Sequence, residues 1–408
     1  MEQMDDALDM MDSMDGHIAS TNDSSSGTEN TDRGAVETKH KPTRKPTRKP
    51  QSKSTRKSTR KSCEEDEEVD NVDKDVGTGQ IAIPSGVTIV DLACTDTLDG
   101  FCPVGHTVNI IGDRNSGKSI LCMASMAETF HRHGDHFAYD YYDYECAVSF
   151  DVKGLFGAKF ENSFNLYTPD NSPEWSIEGL QYKIIQDVES GPRYIVIDSC
   201  DVLKPKSEIE GILKPETDKK TMGLERAKGV TRFFRAICPA VAKSGSFLIV
   251  VSQAKDNIGF GAMFKPKTRF GGSALGFNAY VEMWLGPGQQ IKSGDFKVGQ
   301  WTKCKIERSK ANGKRHTIEF PILPAYGIDD TRSNINWLVQ HGVLATSGTT
   351  IDLSPLGDEF EYKGRNSYQF VEENGLEDEL AEKVREYWAE REKMLIEKTF
   401  GGRQRRYE

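Results

Sequence analysis

The run Gly112-Asp113-Arg114-Asn115-Ser116-Gly117-Lys118-Ser119 holds, in eight residues, the groups needed to bind phosphate together with a divalent cation. Its glycines let the backbone curl so that amide N–H groups face phosphate oxygens. Lys118 would neutralise the outer phosphates, and Ser119 offers a hydroxyl to Mg2+. The apolar run Val108–Ile111 precedes it and a helical pattern follows over Ser119–His133, the strand–loop–helix setting that such a loop requires. A nucleotide hydrolase needs two further acids, one for the metal shell and one to polarise the attacking water. Asp198, followed by Ser199, ends the apolar run Tyr194–Ile197 and suits the first task, because open α/β sheets bind ligands at the carboxyl ends of their strands. For the second task Asp140, Asp143 and Glu145 all stand at the end of Phe137–Tyr141, and the residues alone do not choose among them.

A second constellation lies over 255–272. It is Gly-rich, carries Lys255, Lys265, Lys267 and Arg269, and interleaves Phe260, Phe264 and Phe270. Cations follow a phosphate backbone while aromatic side chains stack on bases, at about 1–3 kcal/mol per base. The competing assignment puts these phenylalanines in the core beneath the loop. His131, His133 and His136 cluster at a helix end without acidic or Cys partners, which fits a helix-dipole role better than a metal site.

Elements able to position these groups alternate along the chain. Strands are expected at Val108–Ile111, Phe137–Tyr141, Tyr194–Ile197, Phe247–Ser252, Tyr280–Leu285, Trp301–Glu307 and Thr317–Ile322, with helices at Ser119–His133, Pro173–Gln186 and Leu224–Ala242. The unalternating apolar runs Tyr194–Ile197 and Phe247–Val251 read as strands buried on both faces. The fold class is therefore α/β: a mostly parallel twisted sheet with helices on both faces over 81–328. A small α+β domain is expected over 329–408, with a Trp-bearing helix near Asn334–His341 and a charged helix at Glu377–Glu397.

Residues 1–80 contain almost no apolar runs and read as a disordered charged tail, with a basic repeat over 41–61 and an acidic run over 64–75. The repeat is either a nucleic-acid tether or a segment that neutralises its acidic neighbour. The 408 residues carry 53 Lys and Arg against 63 Asp and Glu, a net charge of −10; local fields decide contacts with a polyanion, so the balance excludes little. The 8 cysteines form no C-x-x-C pair, which argues against a disulfide framework or zinc site and for a reducing cytosol. No apolar window is long enough for a transmembrane helix, and the acidic start is unlike a signal peptide.

Taken together, these motifs resemble the RecA-type strand-exchange recombinases, in particular bacteriophage recombinases of the UvsX kind. Ile83–Leu92 resembles the segment that opens the family core, leading through Gly105 into the phosphate loop. Asp143-Tyr144-Glu145-Cys146-Ala147 is similar to a stretch whose Glu orients the hydrolytic water, so the resemblance selects Glu145, and Asp198-Ser199 matches the second nucleotide motif. Pro205–Gly211 with Met222-Gly223-Leu224 resembles a first DNA-binding loop near 205–223, to which Arg226 is added. Ile258-Gly259, Met263-Phe264 and Gly271-Gly272 resemble a second loop near 255–272. Gln253 stands where the family senses the γ-phosphate, and Arg308 with Lys310 where it places cations that reach the ATP of the adjacent subunit. The likeness implies an ATP- and Mg2+-dependent, DNA-dependent ATPase. It would form filaments on single-stranded DNA, pair it with duplex DNA, and meet single-strand-binding and mediator proteins, all in the cytosol. Two alternatives share the phosphate loop: a ring-forming motor ATPase of the same fold, and a non-catalytic DNA-binding assembly protein.

Overall fold

The computed structural model describes residues 81–171, 176–213, 219–256, 267–269, 272–401 and 403, with side chains over 211–225 and 272–274 left out. The tail over 1–80, with its basic repeat and acidic run, lies outside the described residues. So do Phe260, Met263, Phe264, Lys265, Phe270 and Gly271, and the side chain of Met222.

Ten strands make the main sheet: β1 (Thr107–Gly112), β2 (Ala138–Asp143), β3 (Phe164–Tyr167), β4 (Arg193–Asp198), β5 (Phe247–Asp256), β6 (Lys267–Arg269), β7 (Val281–Ser293), β8 (Phe296–Ser309), β9 (Thr317–Leu323) and β10 (Gly327–Ile328). Their order is β10-β9-β8-β7-β1-β5-β4-β2-β3, with β6 paired to the end of β5. The six strands from β7 to β3 run parallel, and β8, β9 and β10 continue the sheet antiparallel. Helices α1 (Thr88–Thr95), α2 (Lys118–His133), α3 (Ile177–Glu189) and α4 (Lys219–Ser244) belong to this body, and α5 (Asp330–Gln340) and α6 (Glu377–Phe400) follow it.

A period of two on uninterrupted apolar strands divides their side chains between two cores. Tyr194, Val196, Ile249 and Val251 join Leu121 and Met123 of α2 in one cluster. Ile195, Ile197, Leu248 and Val250 join Leu180 and Ile184 of α3 and Phe233, Phe234 and Ile237 of α4 in the other. That two-sided burial is why the strands lack polar alternation.

The first cluster continues through Ile306, Ile318 and Phe320 to Trp337 and Leu338 of α5 and to Leu380, Val384 and Trp388 of α6. These last three recur every four residues and so share one face of a mostly charged helix. Polar ties cross the same junction. The Thr88 hydroxyl donates to Asp330 at 2.6 Å, and Trp388 Nε1 donates to Asp96 at 3.1 Å.

Several bounds differ from the sequence expectation. Helix α3 starts at Ile177 because Ser176 caps it, accepting the Gly179 amide at 3.0 Å. The β7–β8 hairpin is far longer than Tyr280–Leu285 and Trp301–Glu307, since its distal half is polar and glycine-bearing and reads as a turn. Gly288 and Gly299 are needed there: an added Cβ would come within 2.7 Å of the Trp301 and Ile322 carbonyls respectively. Helix α1 and strand β3 were not among the expected elements.

Candidate functional site

The strand registers set four groups side by side at the carboxyl edge of the sheet. Gly112 of β1 is level with Gln253 of β5, and Asp143 of β2 with Asp198 of β4. From Gly112 the chain turns tightly into α2, with Asn115 and Gly117 at positive φ. Both glycines are sterically required. A Cβ on Gly112 would meet the Leu285 carbonyl at 2.6 Å, and one on Gly117 would collide with the Ile322 side chain. Arg114 is exposed at the tip, while the buried Ser116 hydroxyl has no hydrogen-bond partner among the described residues.

Lys118 Nζ donates to the Asp113 carbonyl at 2.7 Å, folding its ammonium back over the loop. The Ser119 hydroxyl donates to Asp198 Oδ2 at 2.5 Å, and the Tyr141 hydroxyl reaches the same oxygen at 2.8 Å. Burial pushes the Asp198 carboxyl above its ordinary range. The bonds from Ser119 and Tyr141 oppose that, and the nearby charges of Asp143 and Glu145 add to it. A hydroxyl and a carboxylate this close, on the first turn of a helix and a strand end, form a donor set suited to a hard divalent cation.

The three acids expected at the strand end are in different situations, and Asp140 lies within β2, three residues before its carboxyl end. Asp140 is buried and bonded to Arg193 at 2.6 Å and Asn165 at 2.9 Å. Asp143 is buried, and its two oxygens accept the Ala147 and Val148 amides at 2.9 Å each, so it shapes the turn that follows. Glu145 is exposed on that turn, where Gln253 Nε2 reaches its two oxygens at 2.8 and 2.9 Å and the Ser199 hydroxyl donates to it. Of the three, it is the carboxylate whose side-chain partners, Gln253 and Ser199, stand toward the carboxyl ends of β5 and β4.

Other cations have partners within the chain. Arg226 donates to the Leu203 carbonyl at 3.0 Å and to that of Asp201, bracing the segment after β4. Lys255 lies 3.7 Å from Asp201, whose other oxygen accepts the Gln253 amide at 2.7 Å; burial raises this carboxyl too. Lys267 is bonded to both oxygens of Asp113, and Arg269 is paired with Glu282. Gly272 opens a short helix over Gly272–Asn278.

Arg308 and Lys310 are not brought to this cluster. Arg308 pairs in register with Glu282, and Glu282 with Asn109, three residues before Gly112 and two strands away. There Arg308 donates to the Gly276 carbonyl and Lys310 to that of Phe277 at 3.3 Å, next to the exposed Phe277 ring.

Sequence reading missed Tyr141 and Asp201, which the pattern gives only as a strand aromatic and a loop acid. It also missed a pocket of about 280 Å³ beside the loop, lined by Asn115, Gly117, Lys297, Gly299, Gln300, Ile322 and Pro324. Its far wall is the hairpin extension, and Gln300 Nε2 donates to the Asn115 carbonyl at 2.8 Å. No described helix is long and apolar enough to cross a membrane.

The family model for the RecA N-terminal domain matches residues 68–329. The chain is 30% identical over 342 residues to Protein RecA of Frankia alni, covering 79% of this chain and 92% of that protein. It is 30% identical over 330 residues to Protein RecA of Corynebacterium aurimucosum, covering 77% and 81%, and 31% identical over 309 residues to that of a Mycobacterium species, covering 74% and 82%.

Proposed function

The chain belongs to the RecA family of recombinases, which are DNA-dependent ATPases, and from that premise we propose how its residues bind ATP and couple it to DNA. The amides of Gly112–Ser119 take the phosphates, and Lys118 leaves the Asp113 carbonyl to meet them. Ser119 and Asp198 hold Mg2+, which when bound neutralises phosphate charge. Glu145 accepts the hydrogen bond of the attacking water and orients it for in-line attack. Tyr141 fixes the Asp198 carboxylate, and Ser199 fixes Glu145.

The observation that carries the coupling is the bond from Gln253 to Glu145 at 2.8 and 2.9 Å. Gln253 stands on β5, which leads within three residues into the 257–266 segment. A nucleotide that reorients Gln253 therefore acts at the base of the proposed DNA loop. Lys255, Met263, Phe264, Lys265, Phe270, Gly271 and Gly272 form the proposed DNA surface, with Met222, which the structure places in the first turn of α4 and not in the loop expected over 205–223. Arg226, Lys255, Lys267 and Arg269 would have to give up intrachain partners to join it. Arg308 and Lys310 act on the ATP of the next protomer in a helical filament. Single- and double-stranded DNA are the substrates, and single-strand-binding and mediator proteins act alongside in the cytosol. The motif likeness to UvsX supports a bacteriophage-type recombinase.

The test is phosphate release with and without single-stranded DNA, together with electron microscopy. DNA-stimulated hydrolysis and helical filaments are expected, both lost in Lys118→Ala with circular dichroism unchanged. Hydrolysis at the parental rate in that variant would remove the assigned site, and closed rings without filaments would replace recombinase with motor.

A further inference from the structure

Asp113 is out of character with its surroundings, because a carboxylate in a loop built for polyphosphate opposes the ligand's charge. The structure supplies its counter-ion from 154 residues away. Lys267 Nζ bonds both Asp113 oxygens, at 2.6 and 2.5 Å, while the Asp113 carbonyl accepts Lys118. Lys267 is held in place by β6, which pairs antiparallel with the end of β5, Asp256 opposite Lys267 and Ala254 opposite Arg269. Asp256 and Lys267, on these two paired strands, thus flank the 257–266 segment. Its first stem is bonded to the nucleotide cluster through Gln253 and Glu145, and its second through Lys267 and Asp113.

We propose that Lys267 is a positioning residue for the nucleotide: it neutralises Asp113 so that the loop accepts a polyanion, and it ties the second stem of the proposed DNA loop to nucleotide occupancy. This rests on the reading of Gly112–Ser119 as an ATP site. The ion pair is part-exposed, so its intrinsic contribution to folding is small. An unpaired carboxylate beside triphosphate has a larger effect, because each phosphate charge now meets an uncompensated like charge. Lys267 engaged in this way is not free to hold a DNA phosphate, so the two uses of its charge are exclusive and distinguishable.

The experiment measures ATP affinity by calorimetry for the parent, Lys118→Ala, Lys267→Ala and the double variant Asp113→Asn/Lys267→Ala, with DNA affinity against salt on the same proteins. Lys267→Ala should weaken ATP binding about tenfold, the order set by one uncompensated charge near the ligand. The double variant should recover most of that loss, because the offending carboxylate has gone. A merely structural role for the pair predicts no recovery, since the β6 anchor is absent in both variants. Parental ATP affinity in Lys267→Ala, or no recovery in the double variant, overturns the proposal. Unchanged ATP affinity with a salt slope reduced by about 0.7 would make Lys267 a DNA phosphate contact instead. If the parent binds ATP no better than Lys118→Ala, the nucleotide reading itself fails and the proposal with it.

Discussion

The placement of Arg308 and Lys310 makes a demand that chemistry within one chain cannot meet. Arg308 lies three residues back along the strands from Gly112 and two strands across. At about 3.3 Å per residue and 4.8 Å per strand that is roughly 14 Å between backbones, directed away from the phosphate loop. If the two cations serve ATP, they serve a neighbour's. The double variant Arg308→Ala/Lys310→Ala then keeps a complete phosphate loop but supplies nothing to the adjacent protomer, while Glu145→Gln supplies cations but cannot orient water. Cations that stabilise phosphoryl transfer contribute about 10³–10⁵ in rate, so each pure protein should be nearly inactive. A head-to-tail interface joins two different surfaces, so random co-assembly at equal proportions makes about a quarter of the interfaces complete. DNA-stimulated phosphate release by the mixture should therefore approach a quarter of the parental rate, against a background at least a hundredfold lower. Labelled protomers establish co-assembly. A co-assembled mixture no more active than the mean of its components would refute action across the interface.

Three further outcomes are expected. Asp91 is buried with the Ser85 amide donating to it at 2.9 Å, and burial raises its carboxyl to about 8, so the folded state binds its proton more tightly than the unfolded state does. Stability from this group is full below about 4 and is lost as pH rises to about 8; Asp91→Asn should flatten that loss, on the order of a few kcal/mol, in urea titrations at pH 5 and pH 9, and an unflattened profile would count against it. Phe264→Ala should weaken single-strand binding by about 1–3 kcal/mol with melting temperature unchanged, whereas a core residue would lower stability by about 3–5 kcal/mol. Deleting residues 1–75 should reduce the slope of log DNA affinity against log salt by about 0.7 for each phosphate that the tail had neutralised, and an unchanged slope would make the tail self-neutralising.

The parallel centre of the sheet was legible because burial on both faces removes polar residues from β4 and β5, leaving apolar runs with sharp polar ends. The hairpin was not, because outside the core it is held by backbone pairing and by two glycines that admit close carbonyls; neither leaves a hydrophobic period. Helix α1 was hidden for a related reason. Six of its eight residues are buried, so its helical face does not stand out from an apolar background.

The candidate phosphate loop stands out in the sequence because its conformation asks for glycine at two places and the chemistry proposed for it asks for Lys and Ser, all within eight residues. The proposed water-orienting acid was not decided by residue type, since Asp140, Asp143 and Glu145 stand close together in sequence in and just after β2. The difference lies in their partners: two backbone amides occupy Asp143 and shape the turn, and Arg193 with Asn165 occupies Asp140, whereas Glu145 faces Gln253. The cations of 255–272 show the limit of such reading. Charge type announces a polyanion, but whether the anion is DNA or a carboxylate of the same chain depends on partners far away in sequence. Lys267 and Arg269 meet Asp113 and Glu282 only once the sheet has assembled. For these two residues, any DNA contact would compete with an existing ion pair, so each would give less affinity than its charge suggests; at Lys267, whose partner Asp113 lies in the nucleotide loop, such a contact would also make binding responsive to the state of that loop.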